Sequence, residues 1–152
     1  MSFITRPAML DDAAIIAALT DAAYEKYVAR IGRKPQPMTA DYAALIRDEH
    51  VWVVCDEARV VGALVLMHRT DHTLIYSIAM QPDLQKQGIG RMLLAHAEAQ
   101  ARERGLAEVR LYTNERMTEN IAWYVRMGYL ETSRDGGSGF NRVNMAKLLT
   151  GF

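Results

Sequence analysis

Residues 51–80 hold three strand-forming runs, "VWVVCD", "RVVGALVLMH" and "TLIYSIAM", the first two joined by a tight polar turn at 56–59. The third stops at Gln81-Pro82, because proline has no N–H for a sheet ladder. Next, "PDLQKQGIG" opens an alanine-rich run in which Ile89, Leu93, Ala97 and Ala101 fall on one helical face. Such a face of small residues lets a helix lie close on a sheet, and Gly105 is placed to end it.

The flanking chain supplies the remaining elements. Residues 2–6 read as a first strand ended by Pro7. Asp11 or Asp12 can cap a helix whose Ile16, Leu19, Ala23 and Tyr27 share a face. "RIGRKPQPM" breaks that helix, and Thr39 or Asp41 can start a short second one through Tyr42, Leu45 and Ile46. After the central helix, "AEVRLYT" reads as a strand and "TENIAWYVRM" as a helix ending at Gly128. "YLETSR" and "FNRVNMAKLL" form a closing strand pair across a glycine-rich loop. The order β-α-α-β-β-β-α-β-α-β-β predicts an α/β fold, an α+β mixed sheet with helices on both faces.

A length of 152 residues fits one domain, 1–152, with a single sizeable core. Lys plus Arg number 18 and Asp plus Glu 18, so no global field recruits nucleic acid or an anionic membrane. The lone Cys55, in an apolar strand, reads as a buried structural thiol and suits a reducing compartment. The N-terminus has no secretory apolar segment and no run reaches membrane-spanning length, so a soluble cytoplasmic protein is expected.

The chemistry concentrates in Gln85-x-x-Gly88-x-Gly90, between a strand and a helix. Glycine permits positive φ and close ligand approach, and can turn consecutive N–H groups to one point. The helix that follows adds unpaired N–H groups and the positive end of its dipole. A pyrophosphate cradle is one reading, with Lys86 and Arg91 at its rim. A plain strand-to-helix connection is the other. No Gly-Lys-Ser/Thr follows, so the stretch is not a P-loop, and the spacing of a dinucleotide fingerprint is absent.

With "IAMQPDLQ" ahead of "QKQGIG" and "ENIAWYVRMGYLE" downstream, the chain resembles the GNAT N-acetyltransferase superfamily over nearly its whole length. The resemblance implies acetyl-CoA as co-substrate, no metal, and a primary amine of a small molecule or peptide as acceptor. It implies that the backbones of Ile78, Ala79 and Met80 face the pantetheine as an added strand would. It implies that amides of Lys86, Gln87, Gly88, Ile89, Gly90 and Arg91 hold the pyrophosphate, that Asn120 contacts the CoA arm, and that Met80's amide steadies the developing oxyanion. Tyr124 is the implied general acid for the departing thiolate, a role suited to a phenol of pKa about 10 facing a thiol of about 8.5. Its alternative is a core aromatic patch with Trp123 and Tyr129.

The sequence departs from the family pattern at the base. Where many members carry a glutamate, the aligned positions are Tyr76 and Tyr112. Three routes stay open: a water chain past Tyr76, Ser77 or Tyr112, another group such as His68, or an acceptor less basic than lysine. His68-x-x-x-His72 straddles a strand end, and both read as solvated histidines rather than metal ligands. Asn114 is a weaker polar candidate, and "RIGRKPQPM" is either substrate border or solvated surface. The competing function is a non-catalytic acyl-CoA-binding regulatory module. A nucleic-acid-binding domain is disfavoured by charge, and a homodimer stays open.

Overall fold

The computed structural model describes residues 2–84, 86–136 and 141–151; Gln85 of the glycine motif and residues 137–140 of the closing loop lie outside them. In chain order the elements are β1 (Phe3–Pro7), α1 (Ala13–Ile31), α2 (Tyr42–Asp48), β2 (His50–Asp56), β3 (Arg59–His68) and β4 (Thr73–Met80). There follow α3 (Ile89–Glu103), β5 (Glu108–Asn114), α4 (Thr118–Arg126), β6 (Leu130–Asp135) and β7 (Arg142–Leu148). The strands form one sheet in the order β1-β2-β3-β4-β5-β7-β6. All neighbours are antiparallel except β4 and β5, so the expected mixed sheet is present.

β3 explains the layering. Val61, Leu64 and Leu66 point to one core with Leu93, Ala97 and Ala101 of α3, while Val60, Ala63 and Val65 point to the other with Ile16 and Leu19 of α1. A strand buried on both faces must be apolar almost throughout, as this one is. α3 lies close on the sheet where β3 has no side chain: a Cβ at Gly62 would stand 2.8 Å from Ile89 Cγ2. That contact seats the first turn of α3 directly on the sheet.

Two local expectations are corrected. Pro7 belongs to β1, opposite Trp52, because β1 is an edge strand and its missing N–H is tolerated there. Asp12 does not cap α1 through its side chain. Its carboxylate accepts from the Met9 amide at 2.7 Å and pairs with Arg6 at 2.8 Å, closing the turn before the helix. The Arg6 hydrogen bond holds the Asp12 carboxyl below the usual carboxylate range. α1 continues past Tyr27 to Ile31 and stops at Gly32, whose φ of 88° provides the left-handed cap. Asp41 does cap α2, accepting from the Ala44 amide at 3.1 Å. Among the described residues no helix is long and apolar enough to cross a membrane.

Candidate active site

β4 and β5 pair only from Thr73–Ile75 to Val109–Leu111 and then part. A bulge marks the place: Val65 faces Ser77 and Leu66 faces Ile75, which leaves Tyr76 as the extra residue. Beyond the bulge Ala79 faces Ala63, and the Gln81 amide donates to the Val61 carbonyl at 2.9 Å. By the alternation of an antiparallel ladder, the backbone groups of Ile78 and Met80 therefore turn away from β3 into the gap. The Ile78 carbonyl accepts the Tyr24 hydroxyl there, at 2.8 Å. The expected three-residue stretch thus divides: Ile78 and Met80 present backbone to the gap, whereas the backbone of Ala79 is turned to β3.

Two cavities open along the parted strands. The first, about 70 Å³, lies between β4, β5 and the loop after α1. The second, about 370 Å³, lies between the end of β4, α1 and α4. Tyr24, Ile78, Asn120 and Tyr124 border both, so the cavities meet at these four residues. Tyr124 is 5 % exposed, with Trp123 and Tyr129 rings 5.0 and 6.0 Å away. Its ring is part of the core, and the same residue borders both cavities. Among the described residues its hydroxyl makes no hydrogen bond, and burial pushes its pKa up, so the phenol is protonated at neutral pH. Asn120 receives a long hydrogen bond, 3.4 Å, from the Tyr27 hydroxyl.

The glycine loop turns through two left-handed residues ahead of a helix. Lys86 and Gly88 both adopt positive φ, 71° and 85°, and Gly88 is the N-cap of α3. The amides of Ile89, Gly90 and Arg91 are those of the helix's first turn. The Gln87 amide is already engaged, donating to the Leu84 carbonyl at 3.3 Å. The two glycines serve different needs. A Cβ on Gly88 would meet nothing within 4 Å, so its φ is the constraint, whereas a Cβ on Gly90 would stand 2.7 Å from Met80 Cε and 2.9 Å from Trp123 Cζ2. Lys86 borders the second cavity; Arg91 is exposed and is not among its lining residues. The sequence reading missed Lys26, Tyr24 and Arg126, which border that cavity too. They sit on α1 and α4, and only the tertiary fold brings them together.

The proton acceptor is missing here as well. Tyr76, Ser77 and Tyr112 border the first cavity, joined by Gln36 from the basic loop. Gln36 donates to the Tyr76 hydroxyl at 3.1 Å and accepts from the Tyr112 hydroxyl at 2.8 Å. Among the described residues no Asp, Glu or His lines this cavity. Glu119 lines the second, but Arg30 at 2.6 Å holds its carboxyl down at about 2. His68 lines neither cavity. Its Nδ1 is 2.8 Å from Thr73 Oγ1, at the far end of β4, and burial lowers its pKa to about 4. It is neither a base for this site nor a solvated loop residue. His72 pairs with Asp71 at 2.7 Å, and the described residues contain no group of three or more metal-ligating side chains. Asn114 borders the first cavity with its Oδ1 accepting from the Arg116 amide at 2.9 Å.

A family profile described as acetyltransferase (GNAT) family matches residues 16–129. A "Mycothiol acetyltransferase" of Cellulomonas flavigena is 41 % identical over 61 residues, covering 40 % of this chain and 18 % of the relative. A "[Ribosomal protein bS18]-alanine N-acetyltransferase" of Escherichia coli is 35 % identical over 63 residues, 41 % of this chain and 43 % of the relative. The chain therefore spans less than half the length of these curated relatives. Among solved structures, the PaiA N-acetyltransferase of Thermoplasma acidophilum in complex with coenzyme A superposes with a TM-score of 0.84 at 17 % identity, covering 97 % of this chain and 99 % of that one. The Escherichia coli ribosomal-protein-S18-alanine N-acetyltransferase superposes at 0.73 with 18 % identity, over 99 % and 96 % of the two chains. The profile match spans more than half of the sequence, and the chain belongs to the acetyltransferase (GNAT) family.

Proposed function

We propose that the protein transfers an acetyl group from acetyl-CoA to a primary amine, with the donor in the second cavity and the acceptor in the first. The observation that carries this reading is the meeting of the two cavities at Tyr124 and Ile78, where a thioester and an amine would come together. Lys26, Lys86 and Arg126 around the second cavity suit a polyphosphate, and the loop of residues 86–91 suits its pyrophosphate. The Ile78 N–H and the backbone of Met80, turned away from β3, suit the amide-bearing pantetheine arm.

The reaction needs little beyond placement. The amine lone pair attacks the thioester carbon, the C–S bond breaks as the thiolate takes the Tyr124 proton, and the surplus proton on the attacking nitrogen, carried by water, restores the phenol. Met80's N–H, turned into the gap, is the donor to the oxyanion that forms between those steps. Before attack, the substrate ammonium loses a proton to water past Tyr76, Ser77 and Tyr112, since among the described residues no Asp, Glu or His lines this cavity. Incubating the protein with acetyl-CoA and a panel of primary amines tests the reading through amine-dependent release of free thiol. The lack of a base in the first cavity favours a second reading, a regulatory module that binds acyl-CoA without turnover. A melting temperature raised by acetyl-CoA with no thiol release for any amine would decide for the module.

A further inference from the structure

We infer that the acceptor amine also carries an anionic group, a carboxylate or a phosphate, bound on the cationic side of the first cavity. The inference rests on the acetyl-transfer reading and narrows its substrate class. Arg33, Lys34 and Arg142 border this cavity, and among the described residues no carboxylate does. The chain as a whole is balanced, 18 basic against 18 acidic residues, so a one-signed lining is local. The donor's phosphates match the cations of the second cavity; those of the first have no such match in the donor.

The arrangement is also suited to recognising a particular shape. Arg142, first residue of β7, is half-buried, its guanidinium 4.3 Å from the centre of the Tyr112 ring and 3.4 Å from Gln36 Oε1. A guanidinium stacked in this way offers its donors in a planar fork that fits carboxylate and phosphate oxygens. Arg33 and Lys34 approach from the loop after α1, so cations from opposite ends of the chain line one cavity. Between them and the Tyr124 junction the wall is neutral, made of Gln36, Tyr76 and Tyr112. An amine reaching Tyr124 with an anion behind it meets this gradient favourably. A diamine would bring a second ammonium toward three like charges, with no acid among the described lining residues, which selects against it.

The test is calorimetric titration of the CoA-saturated protein with 4-aminobutyrate, phosphoethanolamine, pentylamine and putrescine, each presenting a primary amine. The anionic probes should bind roughly tenfold or more tightly than pentylamine, as expected for a hydrogen-bonded charge pair, and putrescine should bind worst. The better of the two anions identifies the group as carboxylate or phosphate. In Arg142→Gln the anionic-to-neutral ratio should fall toward one, and in the exposed Lys34→Gln variant it should fall less. A merely structural role for Arg142 would weaken all probes alike. Putrescine binding as well as 4-aminobutyrate, neither anion binding, or a ratio unchanged in both variants would overturn the inference. Thiol release on the same amines keeps the two ideas apart. Anion-selective binding without release would sink acetyl transfer alone, and release that prefers putrescine would sink the anion alone.

Discussion

Tyr24 of α1 donates its hydroxyl to the carbonyl of Ile78 at 2.8 Å, tying the first long helix to the free part of β4 where the two cavities meet. The ring is buried and its pKa is pushed well above the ordinary phenol value by that burial, so it donates at any physiological pH.

Tyr24→Phe keeps the ring and leaves the Ile78 carbonyl without that donor. A loss of about 1–2 kcal/mol in unfolding free energy is expected, the usual cost of stranding a buried acceptor. Because Ile78 also borders the second cavity, the proposed acetyl-CoA site, the acetyl-CoA-induced rise in melting temperature should shrink. Urea titration and thermal melts with and without acetyl-CoA measure both, and an unchanged ligand shift would confine Tyr24 to a structural role.

Tyr124→Phe should separate chemistry from packing. The hydroxyl has no hydrogen-bond partner among the described residues, so its removal should leave stability within about 0.5 kcal/mol of wild type. Turnover on an active amine should fall on the order of 10²-fold, with acetyl-CoA binding retained. A variant that keeps near wild-type turnover would make the residue part of the core and nothing more.

The proposed transfer carries a pH dependence, because among the described residues no Asp, Glu or His lines the first cavity. If the proton goes to solvent, kcat/KM should climb about tenfold per pH unit toward the free amine's own pKa, near 10.4 for an alkylamine. Tyr124 adds no descending limb across that range, since its pKa is raised. A profile on one alkylamine from about pH 6 to 9.5 would reveal a hidden base as a plateau near pH 7, and a plateau there would refute the solvent route.

His68 should instead govern stability. Its folded-state pKa, about 4, lies below the ordinary value of 6.5 because burial penalises the imidazolium. The unfolded chain thus binds the proton more readily, and stability present above pH 6.5 should drain as pH falls toward 4. His68→Gln should flatten the fall in melting temperature through this window and leave the pH–rate profile untouched. A wild-type melting temperature that is level from pH 6.5 to 4 would contradict the assignment.

The two glycines of the loop should fail differently. Gly88→Val meets only backbone strain at φ 85°, and Gly88→Asn should restore part of the loss because asparagine tolerates that region. Gly90→Val has no such rescue, since its side chain would collide with Met80 and Trp123, which border the second cavity. Comparing melting temperatures with and without acetyl-CoA across the three variants checks the distinction. Equal behaviour of Gly88→Asn and Gly90→Val would refute it.

Elements whose signals are local were legible in the sequence. β3 and β4 begin and end where the apolar runs do, and α3 stops at Glu103, two residues before Gly105. Asp12 was misread because a cap and an ion pair look alike in sequence, and Arg6 competes for the same carboxylate from an adjacent element. The bulge at Tyr76 carries no composition signal, yet it determines which backbone groups of Ile78, Ala79 and Met80 reach the gap. Lys26, Arg126 and Arg142 look like ordinary surface charges along the chain. Their convergence on the cavities comes from helix packing and from the strand order that brings β7 beside β5.

The parting of β4 from β5 gives the molecule a sheet edge in its interior. An exposed edge invites any passing strand to add to it, and outer strands need charge, proline or curvature to discourage that. At Ile78 and Met80 the row turned away from β3 lies between α1 and α4, borders both cavities at Ile78, and has its Ile78 carbonyl held by the Tyr24 hydroxyl. Enclosure between helices does for this inner row what charge, proline or curvature does for an outer strand.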